Sequence, residues 1–129
     1  MVQLEKVHHI AIICSDYKKS KAFYTEILGL EVIREIYRAE RDSYKCDLAC
    51  QGEYIIELFS FPNPSERPSF PEARGLRHLA FQVKDVEKEK LALERLAIAV
   101  EPIRIDPTTQ KKFTFFQDPD GLPLELYEI

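Results

Sequence analysis

The stretch HHIAIICSDYKKSKAFY, residues 8–24, returns later in the chain as RHLAFQVKDVEKEKLAL, residues 77–93. Laid one over the other, they place His9 on His78, Ala11 on Ala80, Asp16 on Asp85, Lys19 on Lys88 and Lys21 on Lys90. A second block repeats in the same order: IIELF, residues 55–59, lies over PLELY, residues 123–127, so that Glu57 meets Glu125 and Leu58 meets Leu126. The two offsets differ by one residue, which a change in loop length absorbs. Two ordered blocks agreeing on His, Asp and Glu mark the chain as one unit written twice, and a repeat of this size decides the architecture.

The local patterns fill in the unit. VHHIAIIC is rich in β-branched residues and predicts a strand. Asp16 stands where a helix N-cap is wanted, KKSKAFYTEIL follows, and Gly29 offers the stop. Within that helix Ser20, Phe23, Tyr24 and Ile27 recur at helical spacing and form a stripe for one side of a sheet. LEVIREIYRA, SYKCDLAC and EYIIELFSF predict three further strands, the last two joined by a short turn at Gln51–Glu53. The second half repeats the order: strand LRHLAFQV, a cap at Asp85, a helix to about Leu96, then strands AVEPIRI, KKFTFFQ and LPLELYE, with DPDG as a turn. Each half is therefore βαβββ, and the fold class is α+β. Module one covers about residues 1–60, a Pro-rich linker 61–75 and module two 76–129. Each half has too little apolar surface to stand alone, so the pair is expected to make one domain.

Composition narrows the classes of function. The chain has 129 residues, 45% hydrophobic and 31% charged, with a formal net charge of -4. That is the profile of a soluble globular protein with no basic patch for nucleic acid and no apolar run long enough to cross a bilayer. The N-terminus MVQLEKVHH lacks the apolar core of a signal peptide, and three cysteines (Cys14, Cys46, Cys50) do not make a disulfide framework. A cytoplasmic location is expected. Cys46 and Cys50 lack the spacing of a metal pair and read as small buried hydrophobes.

Strand alternation then sorts the side chains. His9, Ala11 and Ile13 share one face of the first strand; His78, Ala80 and Gln82 share the matching face of its repeat. Glu57 and Glu125 stand on strands whose opposite faces (Ile56 and Leu58; Leu124 and Leu126) are bulky and aliphatic. The His and Glu faces carry small neighbours and leave concave space for a ligand. Two imidazoles and two carboxylates suit Zn, Ni, Co, Mn or Fe(II) with positions left open, and four such groups buried without a cation are costly. His9, Glu57, His78 and Glu125 are the metal-ligand set expected. His8 competes with His9, but the repeat and its expected place beneath the helix make it structural. Lys111, Lys112, Arg77 and Arg41 are candidates to meet an anionic substrate, with solvated surface charge as the plainer reading. Phe113 and Phe115 serve either as a pocket wall or as core.

These pieces (VHHIAI with DYKKSKAFYTEILGLEV, YIIELF, GLRHLAFQVKDVE and FFQDPDGLPLELYE) resemble the vicinal oxygen chelate superfamily, which includes lactoylglutathione lyase and methylmalonyl-CoA epimerase. The resemblance covers nearly the whole chain. It implies two βαβββ modules, each curling into half of an open barrel around one divalent ion held by His9, Glu57, His78 and Glu125. It also implies a small-molecule substrate, possibly thiol-conjugated, and a homodimer. The carboxylate Glu57 is similar to that of glyoxalase I-type members and points to a lyase or isomerase that moves a proton next to a carbonyl. In that chemistry Glu125 is given the role of base, with Glu57 as the alternative. Other members imply two rival readings: a metal-free binding or resistance protein, and an Fe(II) dioxygenase.

Overall fold

The repeat written in the sequence is a repeat in space. The computed structural model describes residues 1–129 and divides into two compact units, Met1–Ser65 and Glu66–Ile129. The first holds β1 (Ile10–Cys14), α1 (Tyr17–Ala22), β2 (Glu31–Arg38), β3 (Ser43–Cys50) and β4 (Glu53–Ser60). The second holds β5 (Leu79–Val83), α2 (Val86–Arg95), β6 (Arg104–Ile105), β7 (Lys112–Gln117) and β8 (Pro123–Glu128). Sheet order is β1-β4-β3-β2 in one and β5-β8-β7-β6 in the other. In each the first and last strands pair in parallel, and the register matches: Ala11 lies beside Glu57, and Ala80 beside Glu125.

The helices begin where the acids stand. Asp16 accepts from the Lys19 amide at 3.1 Å, and Asp85 accepts from the Lys88 amide at 3.0 Å. Each satisfies an amide that the first helical turn cannot. The first helix is short and widens into a π turn over Phe23–Ile27, after which Gly29 turns the chain at φ 73°. Phe23 and Tyr24 are buried there. Alternation holds along the last strands: Ile56 and Leu58 are buried against the side that α1 covers, and Leu124 and Leu126 against the side that α2 covers. Glu57 and Glu125 face the other way and are only part-buried. Cys46 is fully buried and Cys50 half-buried, both free.

Two expectations change, and the segment between the modules is placed. The strand expected over AVEPIRI is two residues long. Pro102 has no amide for a ladder, and what precedes Arg104 hangs on β7 by the Glu101 amide to the Phe115 carbonyl (2.9 Å) and by Thr114 Oγ1 to the Glu101 carbonyl (2.7 Å). The segment 61–75, which reads as a linker or a wrapping loop, belongs to the second unit from Glu66 onward. Finally, both predicted first strands start late, at Ile10 and Leu79, so His9 and His78 each sit one residue ahead of their strand.

Candidate metal centre

The late strand starts govern where the imidazoles go. In the first unit His9 Nε2 is 3.6 Å from Glu57 Oε1; in the second His78 Nε2 is 3.6 Å from Glu125 Oε1. All four side chains are part-buried, the carboxylates more deeply than the imidazoles. A separation of 3.6 Å is too long for a hydrogen bond. It is near the roughly 3.0–3.4 Å that separates two adjacent ligands each bonded at about 2.1 Å to one ion. The donor chemistry also fits a borderline divalent cation. Nowhere in the chain do three or more His, Cys, Asp or Glu side chains converge into a complete cation site. Each unit thus presents one His–Glu pair, and the pairs match.

Around these pairs the two units differ. His9 stacks on Tyr54, ring centroids 5.1 Å apart and 9° from parallel. His8 is not under the helix. It is exposed, and its Nδ1 is 2.8 Å from His9 Nδ1. One of the two nitrogens must carry the shared proton, and that bond holds the His9 ring with Nε2 toward Glu57. The strand begins after His8, so the alternation that would have sent it inward does not apply. Glu57 Oε2 has Lys45 Nζ at 3.4 Å and the Tyr54 hydroxyl at 3.4 Å.

Beside it lies a carboxylate that sequence reasoning missed. Asp47 is 1% exposed and pairs across β3–β4 with Glu57. It accepts from Arg34 Nε at 2.9 Å, Lys45 Nζ at 3.1 Å and the Tyr54 hydroxyl at 3.0 Å. Burial alone would raise its pKa, but the bonds from Lys45, Arg34 and Tyr54 outweigh it and hold it below the usual carboxylate range. Burial and the Asp47 charge push the Tyr54 phenol up, so it stays a donor. Asp47→Asn is expected to cost roughly 2–3 kcal/mol of stability at pH 7, less than a fully enclosed pair because Arg34 is largely exposed. The folded pKa is depressed, so this contribution is present above the unfolded value of about 3.9 and is lost as pH falls through the folded value. Urea melts of both proteins at pH 7 and pH 3 check it: the gap between them should narrow at the lower pH.

The second unit answers with apolar groups. At the register positions of Lys45 and Asp47 stand Phe113 and Phe115, paired with Tyr127 and Glu125. His78 meets Phe115 edge-on, centroids 5.0 Å apart. Burial raises the Glu125 pKa, as does Asp106, while His78 and Arg104 pull it down. A cavity of about 510 Å³ opens beside His78, lined among others by Phe115, Arg67, Arg77 and Arg104. Of the four cations weighed for an anionic substrate, Arg77 alone lines it. Lys111 bonds the Ile129 carbonyl, Lys112 bonds Glu87, and Arg41 lies over the Phe61 ring. Phe115 is a pocket wall, and Phe113 stacks on Tyr127.

Comparison with known proteins agrees with the fold. Residues 6–126 match the glyoxalase/bleomycin resistance protein/dioxygenase superfamily. The chain is 62% identical over 128 residues to the uncharacterized protein YaeR of Escherichia coli, covering 99% of both. It superimposes on the crystal structure of a glyoxalase family protein from Enterococcus faecalis with a TM-score of 0.90 at 48% identity, covering 96% of this chain and 98% of that one. It is also 26% identical to the 2-epi-5-epi-valiolone epimerase of an Actinomyces species, over 95% of this chain and 79% of that protein. No helix is long and apolar enough to cross a membrane.

Proposed function

This chain belongs to the glyoxalase/bleomycin resistance protein/dioxygenase superfamily, and from that premise we propose that it is a metal-dependent, glyoxalase-like lyase or isomerase. It would move a proton on the carbon next to a carbonyl of a small, possibly thiol-conjugated substrate. The observation that carries this reading is the pair of matched His–Glu separations, 3.6 Å in each unit, at the positions the repeat aligns. The name of the epimerase relative, an enzyme that inverts a carbon centre, is in keeping with it.

In this reading His9, Glu57, His78 and Glu125 hold one divalent ion, Zn, Ni or Co ahead of Mn or Fe. A homodimer would offer each His–Glu pair twice. When bound, the ion supplies Lewis acidity for charge developing on oxygen beside the reacting carbon. The protein supplies the rest. Glu57 has a lysine and a phenol against it, each at 3.4 Å, and is held in place as a ligand. Glu125 has the wall of Phe115 beside it and takes the carbon-bound proton, returning it to the neighbouring carbon or the opposite face. The phenyl rings keep water from competing for that proton.

The test is elemental analysis of the purified protein, followed by isomerisation of a methylglyoxal–thiol hemithioacetal. Turnover should vanish on chelation and return when Zn, Ni or Co is added back. The second reading, a ligand-binding protein without turnover, is favoured by one fact: no three donors converge within the chain. Metal-free, inactive protein that still binds small ligands would establish it.

A further inference from the structure

The cavity beside His78 carries its own chemical signature. Four arginines line it (Arg67, Arg74, Arg77 and Arg104) against two glutamates, Glu72 and Glu101, in a chain whose net charge is -4. Its volume of about 510 Å³ suits a small molecule. Two of its arginines are fixed in place. Arg67 Nη2 donates to the carbonyls of Leu76 (2.6 Å) and Arg77 (3.0 Å), which ties the wall segment to the approach to β5. Arg104 rests over the rings of Phe113 and Phe115, 4.9 and 5.7 Å from their centroids.

One donor there is left over. Arg67 Nε is buried and has no hydrogen-bond partner. A buried N–H of a cation is costly to leave unmatched, and this one belongs to a side chain that lines the cavity. The unit comparison points the same way. At the positions where the first unit sets Lys45 and Asp47 in a self-satisfied network, the second has Phe113 and Phe115, which satisfy no arginine. Arg104 also lies 3.7 Å from Glu101, which leaves the cavity two arginines in excess of its glutamates. An apolar floor under that excess of guanidinium fits a ligand with a flat or apolar body and an oxyanion end.

We propose that this cavity binds the oxyanion end of the substrate, a carboxylate or a phosphate-type group, with Arg67 as its principal donor, Arg77 and Arg104 supporting it, and Phe115 under the apolar part. This rests on the metal-centre reading above only for where the reacting carbon goes, which is toward His78 and Glu125. Anion binding itself does not depend on an ion.

The test titrates metal-stripped wild-type protein with phenylphosphonate, phenylacetate and neutral benzyl alcohol, by calorimetry and by the arginine Nε–H signals in ¹⁵N spectra. At least one anion should bind tenfold or more tightly than benzyl alcohol and shift the Arg67 Nε–H signal; the preferred anion tells phosphate-type from carboxylate substrates. Arg67→Lys, which keeps the charge but removes Nε–H, should weaken binding tenfold or more, and Arg77→Gln several-fold. If Arg67→Lys does not fold, Arg77→Gln and the Arg67 signal of the wild type decide. Equal binding of benzyl alcohol and the anions, or an unmoved Arg67 signal with unchanged affinity in the variants, overturns the proposal. Anion binding that persists in protein unable to hold metal upholds the cavity and removes only the reaction assigned to it.

Discussion

Replacing His9 or His78 by Ala is expected to strip the divalent ion and abolish turnover. Each imidazole is one half of a His–Glu pair, and its removal leaves a lone part-buried carboxylate that binds a cation weakly. The loss in metal affinity should exceed the roughly 10–100-fold that follows from removing a group that merely orients a ligand. His8→Ala belongs to that milder class. Its Nδ1 bond holds the His9 ring, so its loss should fall within that range while leaving turnover measurable at saturating metal. Metal titration of the three variants, with circular dichroism to confirm folding, separates the cases. His8→Ala losing all metal while His9→Ala keeps it would exchange the roles of the two histidines.

The repeat was legible because it was written in residue types that strands and helices demand: a β-branched run, an acid at the cap, an alternation ending in Glu. These survive without tertiary context, and so the sheet order and the matched registers follow from them. Three things were not legible. Asp47, Lys45, Arg34 and Tyr54 have no counterparts at the aligned positions of the second half, where Phe113 and Phe115 stand, so the repeat that exposed the His and Glu residues hid this network. His8 was assigned to a face because its strand was read three residues too long; β1 starts at Ile10, and the backbone before it turns both imidazoles the same way. Arg77 stood out as a candidate for an anion, but Arg67 and Arg74 lay in a Pro-rich segment that read as a linker or a wrapping loop. Proline limits local structure there but says nothing about tertiary packing, and the Arg67 bonds to Leu76 and Arg77 make that segment a wall.

Glu125→Gln is expected to lower kcat by about 10²–10⁴-fold, the range for loss of a positioned general base. Metal affinity should fall far less, because in this reading Glu125 is the carboxylate freed to act as base and Glu57 the one kept as ligand. Glu57→Gln should do the reverse, costing affinity more than kcat. The difference follows from what faces each carboxylate. Glu57 is approached by Lys45 Nζ and the Tyr54 hydroxyl, each at 3.4 Å, which hold it in place. Glu125 is opposed by Phe115 and pairs with His78, with no lysine against it, so its carboxylate is the more able to leave the ion and reach a carbon-bound proton. Turnover of a 2-oxoaldehyde hemithioacetal or a 2-substituted acyl thioester in deuterated water reads the step directly. Deuterium should appear on the product carbon with wild-type protein, in part if the site shields the transferred proton, and should disappear with Glu125→Gln at full metal occupancy. Retained exchange in Glu125→Gln with loss in Glu57→Gln would move the base to the first unit. Oxygen uptake in step with product, in iron-loaded protein, would replace proton transfer by dioxygenase chemistry at the same four side chains.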